Sequence, residues 1–219
     1  MKKIALLLCF VLIFTILSAC SDQKPLPDGE TELFSTDEEI YEAMTGAAEE
    51  GNFKTAVAYY GTGGAGADKE DARDWYLYSL VMDEYNENGC IGYPLDMLTE
   101  KLNPSFSPAK KMVDTLKTQV SEFNGVYHMD GSYLYIYDGK IAVSIGTQIT
   151  DYYFCAYEVS VKDGVFFWTE RKSDGTHNDL YTITKNGGKV VVTPVEENKN
   201  DMYSGTYDPF NAEMPMLCY

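Results

Sequence analysis

The sequence predicts an α+β protein, with N-terminal helical hairpins followed by an antiparallel β-meander that forms a barrel or half-barrel. Three observations carry this. Up to about Phe123 apolar residues recur at helical spacing, the mark of amphipathic helices. Beyond Phe123 the period drops to two in eight short runs, GVYHM, YLYIY, KIAVSI, YYFCAYEVSV, VFFWTERK, DLYTIT, KVVVTPV and MYSGTY; their Val, Ile, Tyr and Phe content is that of strands. Among the runs stand Asp130-Gly131, Asp138-Gly139, Asp163-Gly164, Asp174-Gly175 and Asn186-Gly187. Such dipeptides tolerate positive φ at both turn positions and favour tight hairpins. A meander of this length must close or curl to protect its edges.

In chain order, Lys2 and Lys3 precede an uncharged apolar run from Ile4 to Leu17, which ends in Leu17-Ser18-Ala19-Cys20. A cationic start, a short apolar stretch and a small-residue cleavage site are the parts of an export signal. The run is shorter than the ~20 residues of a spanning helix. The segment resembles the signal of bacterial lipoproteins, whose lipobox is matched by Leu17, Ser18 and Ala19 before the obligatory cysteine, Cys20. That resemblance implies cleavage before Cys20, acyl chains (palmitate or similar) on its glycerol thioether and its amine, and a mature protein anchored outside the cytoplasmic membrane. In an envelope with two membranes, the outer membrane is the other address.

Residues 20–34 read as the lipidated cysteine and a flexible tether, with Pro25, Pro27 and Gly29 and few large apolar residues. Ser35 or Thr36 can cap a first helix whose opening turn holds Asp37, Glu38 and Glu39, acids that favour the positive helix end. Further helices are expected from Phe53 to Tyr60, Lys69 to Asn86, Pro94 to Leu102, and from a Ser107 cap with Pro108 at the first helical position through Phe123. The layout is therefore a signal peptide over 1–19, the tether over 20–34, a helical domain over 35–123 and a β domain over 124–219. Within the helical part, Gly51, Phe53, Ala56 and Tyr60 resemble the glycine, aromatic, small and second aromatic positions of a tetratricopeptide repeat, and Tyr93, Met97 and Leu98 echo them. The echo comes later than the family's ~34-residue period and has Asp96 where a small residue belongs. The resemblance covers residues 36–102 and implies stacked helical hairpins with a protein-binding groove. In the β domain, Gly125-Val126-Tyr127 and Gly205-Thr206-Tyr207 resemble the G-x-W that opens lipocalin-type barrels, with Tyr in place of Trp.

Charge and motifs exclude several functions. Formal charge is −17, and loss of Lys2 and Lys3 with the signal takes it to −19. Such a chain is repelled by phosphate backbones and anionic headgroups, so nucleic acid is not a partner and membrane attachment falls to the acyl chains on Cys20. Of the five cysteines, Cys9 leaves with the signal and Cys20 is the lipid carrier, so Cys90, Cys155 and Cys218 remain. Three permit at most one internal disulfide, for which Cys90–Cys218 is one arrangement; Cys155 reads as a small buried hydrophobe. There is no CxxC pair, and His128 in the first strand and His177 in the Ser-Asp-Gly-Thr turn are the only histidines. Spacing therefore assembles no metal ligand set. The Gly61–Ala67 loop lacks the G-K-[ST] and leading strand of a phosphate loop, no G-x-S-x-G occurs, and the Asp-Gly pairs lack a calcium-loop pattern. The expectation is a protein that is not an enzyme and needs no cofactor. Two functions remain: an interaction component of the envelope with a protein partner, or a module holding a small apolar or carbohydrate ligand on the aromatic residues Tyr133, Tyr135, Trp168 and Tyr181. A closed barrel of about eight strands holds a small ligand only where large side chains do not fill its interior; an open, twisted sheet packed by the helices would leave no cavity and would favour the first.

Overall fold

The computed structural model describes residues 36–61, 69–146, 153–154, 157–196, 202–212 and 217–218. The lipobox residues Leu17, Ser18 and Ala19, the lipid carrier Cys20, the tether, most of the glycine-rich loop and Cys155 lie outside the described residues. The chain divides into two compact units at Ala72/Arg73.

In the first unit, α1 (Asp37–Glu49) and α2 (Phe53–Gly61) form a helical hairpin. The acidic start is fixed by a reciprocal cap: Thr36 Oγ1 accepts from the Glu39 N–H at 3.2 Å and Glu39 Oε2 accepts from the Thr36 N–H at 3.2 Å. Such a pair satisfies two amides that a helix start otherwise leaves open. The buried residues are Met44 and Ala48 on α1 and Phe53, Ala56 and Tyr59 on α2, the faces set by the helical period.

The second unit holds α3 (Ala72–Asn88, from its second residue), α4 (Gly92–Glu100), α5 (Ser107–Val120), a short 3₁₀ turn (Ser121–Phe123) and the strands. Pro94 sits inside the first turn of α4 rather than opening it, a position where its missing N–H costs nothing. Similarly Ser107 is the first residue of α5, with Phe106 before it supplying no side-chain cap. Trp75 of α3 meets Phe106 edge to face, ring centroids 5.0 Å apart. No helix among the described residues is long and apolar enough to cross a membrane.

Eight strands make a closed antiparallel barrel: β1 (Gly125–Met129), β2 (Ser132–Tyr137), β3 (Lys140–Ile145), β5 (Tyr157–Lys162), β6 (Val165–Arg171), β7 (His177–Asn186), β8 (Lys189–Pro194) and β9 (Gly205–Pro209). Pairing of Tyr127 with Pro209 and of His128 with Asp208 joins the last strand to the first. Two short strands outside it, β4 (Tyr153–Phe154) and β10 (Leu217–Cys218), pair in parallel. Asp130-Gly131, Asp138-Gly139 and Asp163-Gly164 all have positive φ at both residues, as type I′ hairpins require. The β7–β8 turn differs from expectation. Asn186 pairs with Lys189, and Gly187-Gly188 forms the two-residue loop.

Register assigns the two faces. Leu134, Ile136 and Ile141 are continuous through Tyr157 with Val159, Trp168, Tyr181 and Ile183, and then with Val190, Val192 and Tyr207. All of these except Tyr157 are buried, and they fill the interior. The alternate residues point outward, exposed at Thr184, Thr193 and Thr206. At one end, the Tyr127 hydroxyl donates to the Phe123 carbonyl at 2.8 Å and Phe123 packs on Phe166.

Among the described residues, β3 and β5 pair at Lys140–Glu158 and Ile141–Tyr157. Past the first residue of β3, the link between α3 and α4 pairs with β5: the Ile91 N–H donates to the Val159 carbonyl and the Val161 N–H to the Gly89 carbonyl, each at 2.9 Å, and Cys90 bridges to Ser160. Gly89 has φ +68°, and a Cβ there would run into the Val161 carbonyl. Glycine is what lets the backbones approach.

α4 is further tied to the barrel by Lys140 Nζ, 2.9 Å from Asp96 Oδ1. Burial pushes the Asp96 carboxyl from its ordinary 3.8 up to about 6, against the hydrogen bond from Lys140. A raised folded-state value means that Asp96 contributes stability in full below its unfolded value and loses it as pH rises through about 6. The carboxyl-carbon shift of Asp96 is accordingly expected to titrate with a midpoint near pH 6; a midpoint near the ordinary value would contradict the burial of this carboxyl.

Candidate functional site

The four aromatic residues expected to share a ligand fall on opposite faces of the sheet. Trp168 and Tyr181 are interior neighbours, ring centroids 5.1 Å apart, with Tyr203 stacked on Trp168 at 5.4 Å. Tyr133 and Tyr135 point outward, where Tyr135 is covered with Val126 and Ala142, and Tyr133 packs on His128 at 4.8 Å and Phe210 at 5.4 Å. No single ligand spans both pairs without crossing the strands.

A second constellation lies on the outer face of β5, β6 and β7, where an irregularity gathers it. Trp168 pairs with Tyr181 but Thr169 pairs with Asp179, so Leu180 is an extra residue and β7 is bulged. Strict alternation would put Asp179 and His177 on the interior face with Tyr181. The bulge instead lays Asp179 opposite Thr169 and His177 opposite Arg171, on the face that holds Glu158 and Ser160; re-aiming side chains is what bulges do. Ser160 also places Cys90, through their bridge. One ligand atom each of Cys90, Glu158 and His177 lies within 4.8 Å of the other two.

The surroundings are polar and half-buried. Glu158 Oε2 accepts from the Tyr93 N–H at 3.0 Å, and its Oε1 is 3.9 Å from His177 Nε2. Glu84 of α3 places Oε1 at 3.9 Å from the same nitrogen and at 2.8 Å from Arg171 Nη2, while the Arg171 guanidinium lies 3.5 Å over the Tyr93 ring. Alongside, Thr169 Oγ1 donates to Asp179 Oδ1 at 2.7 Å and Lys162 Nζ meets Oδ2 at 2.5 Å. The His177 side chain is 4% exposed, and neither of its ring nitrogens has a hydrogen-bond partner among the described residues.

Burial dominates the ionisation of this group. It pushes the Cys90 thiol and the Glu158 carboxyl upward, in the first case with help from the Glu158 charge and in the second against the Tyr93 N–H and Arg171. Burial, then the Arg171 and Lys162 cations, hold the His177 imidazole below its usual range. Cys90 is a free, buried thiol, so the Cys90–Cys218 bridge is not formed. A thiol that is buried and pushed upward is not an activated nucleophile, which needs an exposed, electropositive setting. The residues Cys90, Glu158 and His177 are instead a donor set able to hold a metal ion.

No family model, curated protein or solved structure matches the chain. The cluster draws its members from the link between two helices and from two strands, so no spacing rule reaches it. His177 was expected in a turn and is the first residue of β7. The one local signal was the run from His177 to Tyr181, HNDLY, in which polar and apolar residues do not alternate, as expected near a bulge.

Proposed function

We propose that this protein is a lipid-anchored component of the bacterial cell envelope, held on the extracytoplasmic side by acyl chains on Cys20, that acts by binding another envelope protein and not by catalysis. The interaction half of the reading is carried by the barrel interior. Its positions hold Trp168, Tyr181, Tyr207 and large aliphatics, and an eight-stranded barrel so occupied leaves binding to its outer surface. On that surface Phe210, 38% exposed, sits in a cluster with His128 and Tyr133, and exposed aromatic groups of this kind suit protein contacts. The anchor half is carried by the Leu17-Ser18-Ala19-Cys20 sequence.

One feature supports the other reading, a small ligand. Among the described residues, Trp168 Nε1 is buried without an acceptor beside Tyr181 and Tyr203, and a small acceptor could take its N–H.

The experiment is photocross-linking in intact cells, with a benzoylphenylalanine probe at Phe210 and a control probe at Val165, which is 43% exposed. The expected result is a discrete adduct with another envelope protein from position 210 alone, weakened when Cys20→Ala prevents anchoring. Intact mass should begin at Cys20 and include acyl chains. Equal labelling at both positions or no adduct at 210 would overturn the interaction reading, and an unmodified full-length mass would overturn the anchor.

A further inference from the structure

We propose that Cys90, Glu158 and His177 form a binding site for a divalent transition-metal cation of the zinc class. This goes beyond the anchoring and interaction reading and does not depend on it.

The first ground is convergence. The three ligand atoms lie within 4.8 Å of one another, whereas zinc bonds of about 2.0–2.3 Å in a tetrahedral site set ligand atoms roughly 3.3–3.8 Å apart. Rotation of the Cys90 and His177 side chains can supply that contraction. The second ground is His177 itself. Buried polar groups are hydrogen-bonded as a rule, yet this 4%-exposed imidazole has no hydrogen-bond partner on either nitrogen among the described residues. The oxygens bracketing Nε2, Glu84 Oε1 and Glu158 Oε1, both stand at 3.9 Å. That is too long for a hydrogen bond and suited to donors that share a cation.

Chemistry selects the class of ion. A thiolate, an imidazole and a carboxylate suit zinc and its neighbours, while calcium and magnesium take oxygen ligands. Binding replaces the Cys90 thiol proton, which passes to solvent, and couples affinity to pH as for any thiolate ligand. Glu84 or a water supplies the fourth ligand. With Glu84 counted, three negative groups (the Cys90 thiolate, Glu158 and Glu84) balance the dication and Arg171. The Tyr93 N–H on Glu158 Oε2 leaves Oε1 to face the ion, the outer-shell restraint that ligating carboxylates ordinarily have. Cys90 and Glu158 are both buried, so the ion is structural: it clips the Gly89–Ile91 link to β5 and β7.

The test uses the full chain in detergent, stripped of metal and titrated with Co²⁺ and then Zn²⁺. One equivalent of Co²⁺ should give a thiolate-to-cobalt charge-transfer band with tetrahedral d–d absorption. The band should survive Cys155→Ser/Cys218→Ser, vanish in Cys90→Ser, and be discharged by Zn²⁺. Glu158→Gln and His177→Gln should weaken Zn²⁺ binding by about 100-fold or more, since outer-shell changes alone cost about 10–100-fold. X-ray absorption of the zinc-loaded natural chain needs no variant to fold. It should report one sulfur at about 2.3 Å with nitrogen or oxygen at about 2.0–2.2 Å. Absence of the band, its persistence in Cys90→Ser, or a zinc shell with no sulfur or two would overturn the proposal.

Discussion

Trp168→Ala is expected to destabilise the second unit by about 3–5 kcal/mol, the range for deleting a large aromatic from a packed core. Trp168 is fully buried in the barrel interior and touches Tyr157, Tyr181 and Tyr203, with ring centroids between 5.1 and 5.6 Å. Tyr157 and Tyr181 sit on different strands whose hydrogen bonds hold them in place, so the space cannot collapse cheaply. Trp168→Phe should cost only about 1–2 kcal/mol, because part of what it removes is an N–H that has no acceptor and is itself unfavourable when buried. Urea unfolding with unchanged slope is the measurement. Equal losses for the two variants would show that the indole nitrogen has an acceptor after all, and a loss below about 1.5 kcal/mol for the alanine variant would show that the interior is loosely filled.

The second large effect is expected at Gly89. An alanine there meets two costs at once: a left-handed backbone at φ +68°, worth about 1–2 kcal/mol to an L-residue, and a Cβ driven into the Val161 carbonyl. Relief of that clash breaks the bonds from Ile91 to Val159 and from Val161 to Gly89, each worth about 0.5–1.5 kcal/mol. The sum is a loss of about 2–5 kcal/mol by denaturant midpoint. Gly131→Ala is the control, because Gly131 has φ +82° with nothing near its Cβ and meets the first cost alone. Comparable losses at the two positions would mean that the Gly89–Ile91 link is not bound to β5 as described.

These positions also mark where the sequence could be read and where it could not. The hairpins at Asp130-Gly131, Asp138-Gly139 and Asp163-Gly164 were legible because their conformations are set by adjacent residues. The change from helical to alternating period was legible for the same reason, and with it the helices-then-meander order and the number of barrel strands. Closure was left open as barrel or half-barrel, since Tyr127 and Pro209 meet only in three dimensions. The Gly187-Gly188 turn was misplaced by one residue because Asn-Gly and Gly-Gly compete for the same role. The faces of the tyrosines could be split within YLYIY, but which side was interior depended on closure. In the candidate site, alternation was the wrong guide, since one extra residue at Leu180 moves His177 across the sheet. Cys90 was read only as a possible partner of Cys218, because the strand that receives it begins far along the chain.

The Gly89–Ile91 link also bears on what happens if the strands are made without the helices before them. A polypeptide starting at Gly125 would present β5 with bare amide and carbonyl groups along Val159–Val161, past the first residue of β3. Such an uncovered edge is a template for another molecule's strand. In the whole chain this edge is already occupied by a neighbour from its own sequence, which guards the protein against self-association.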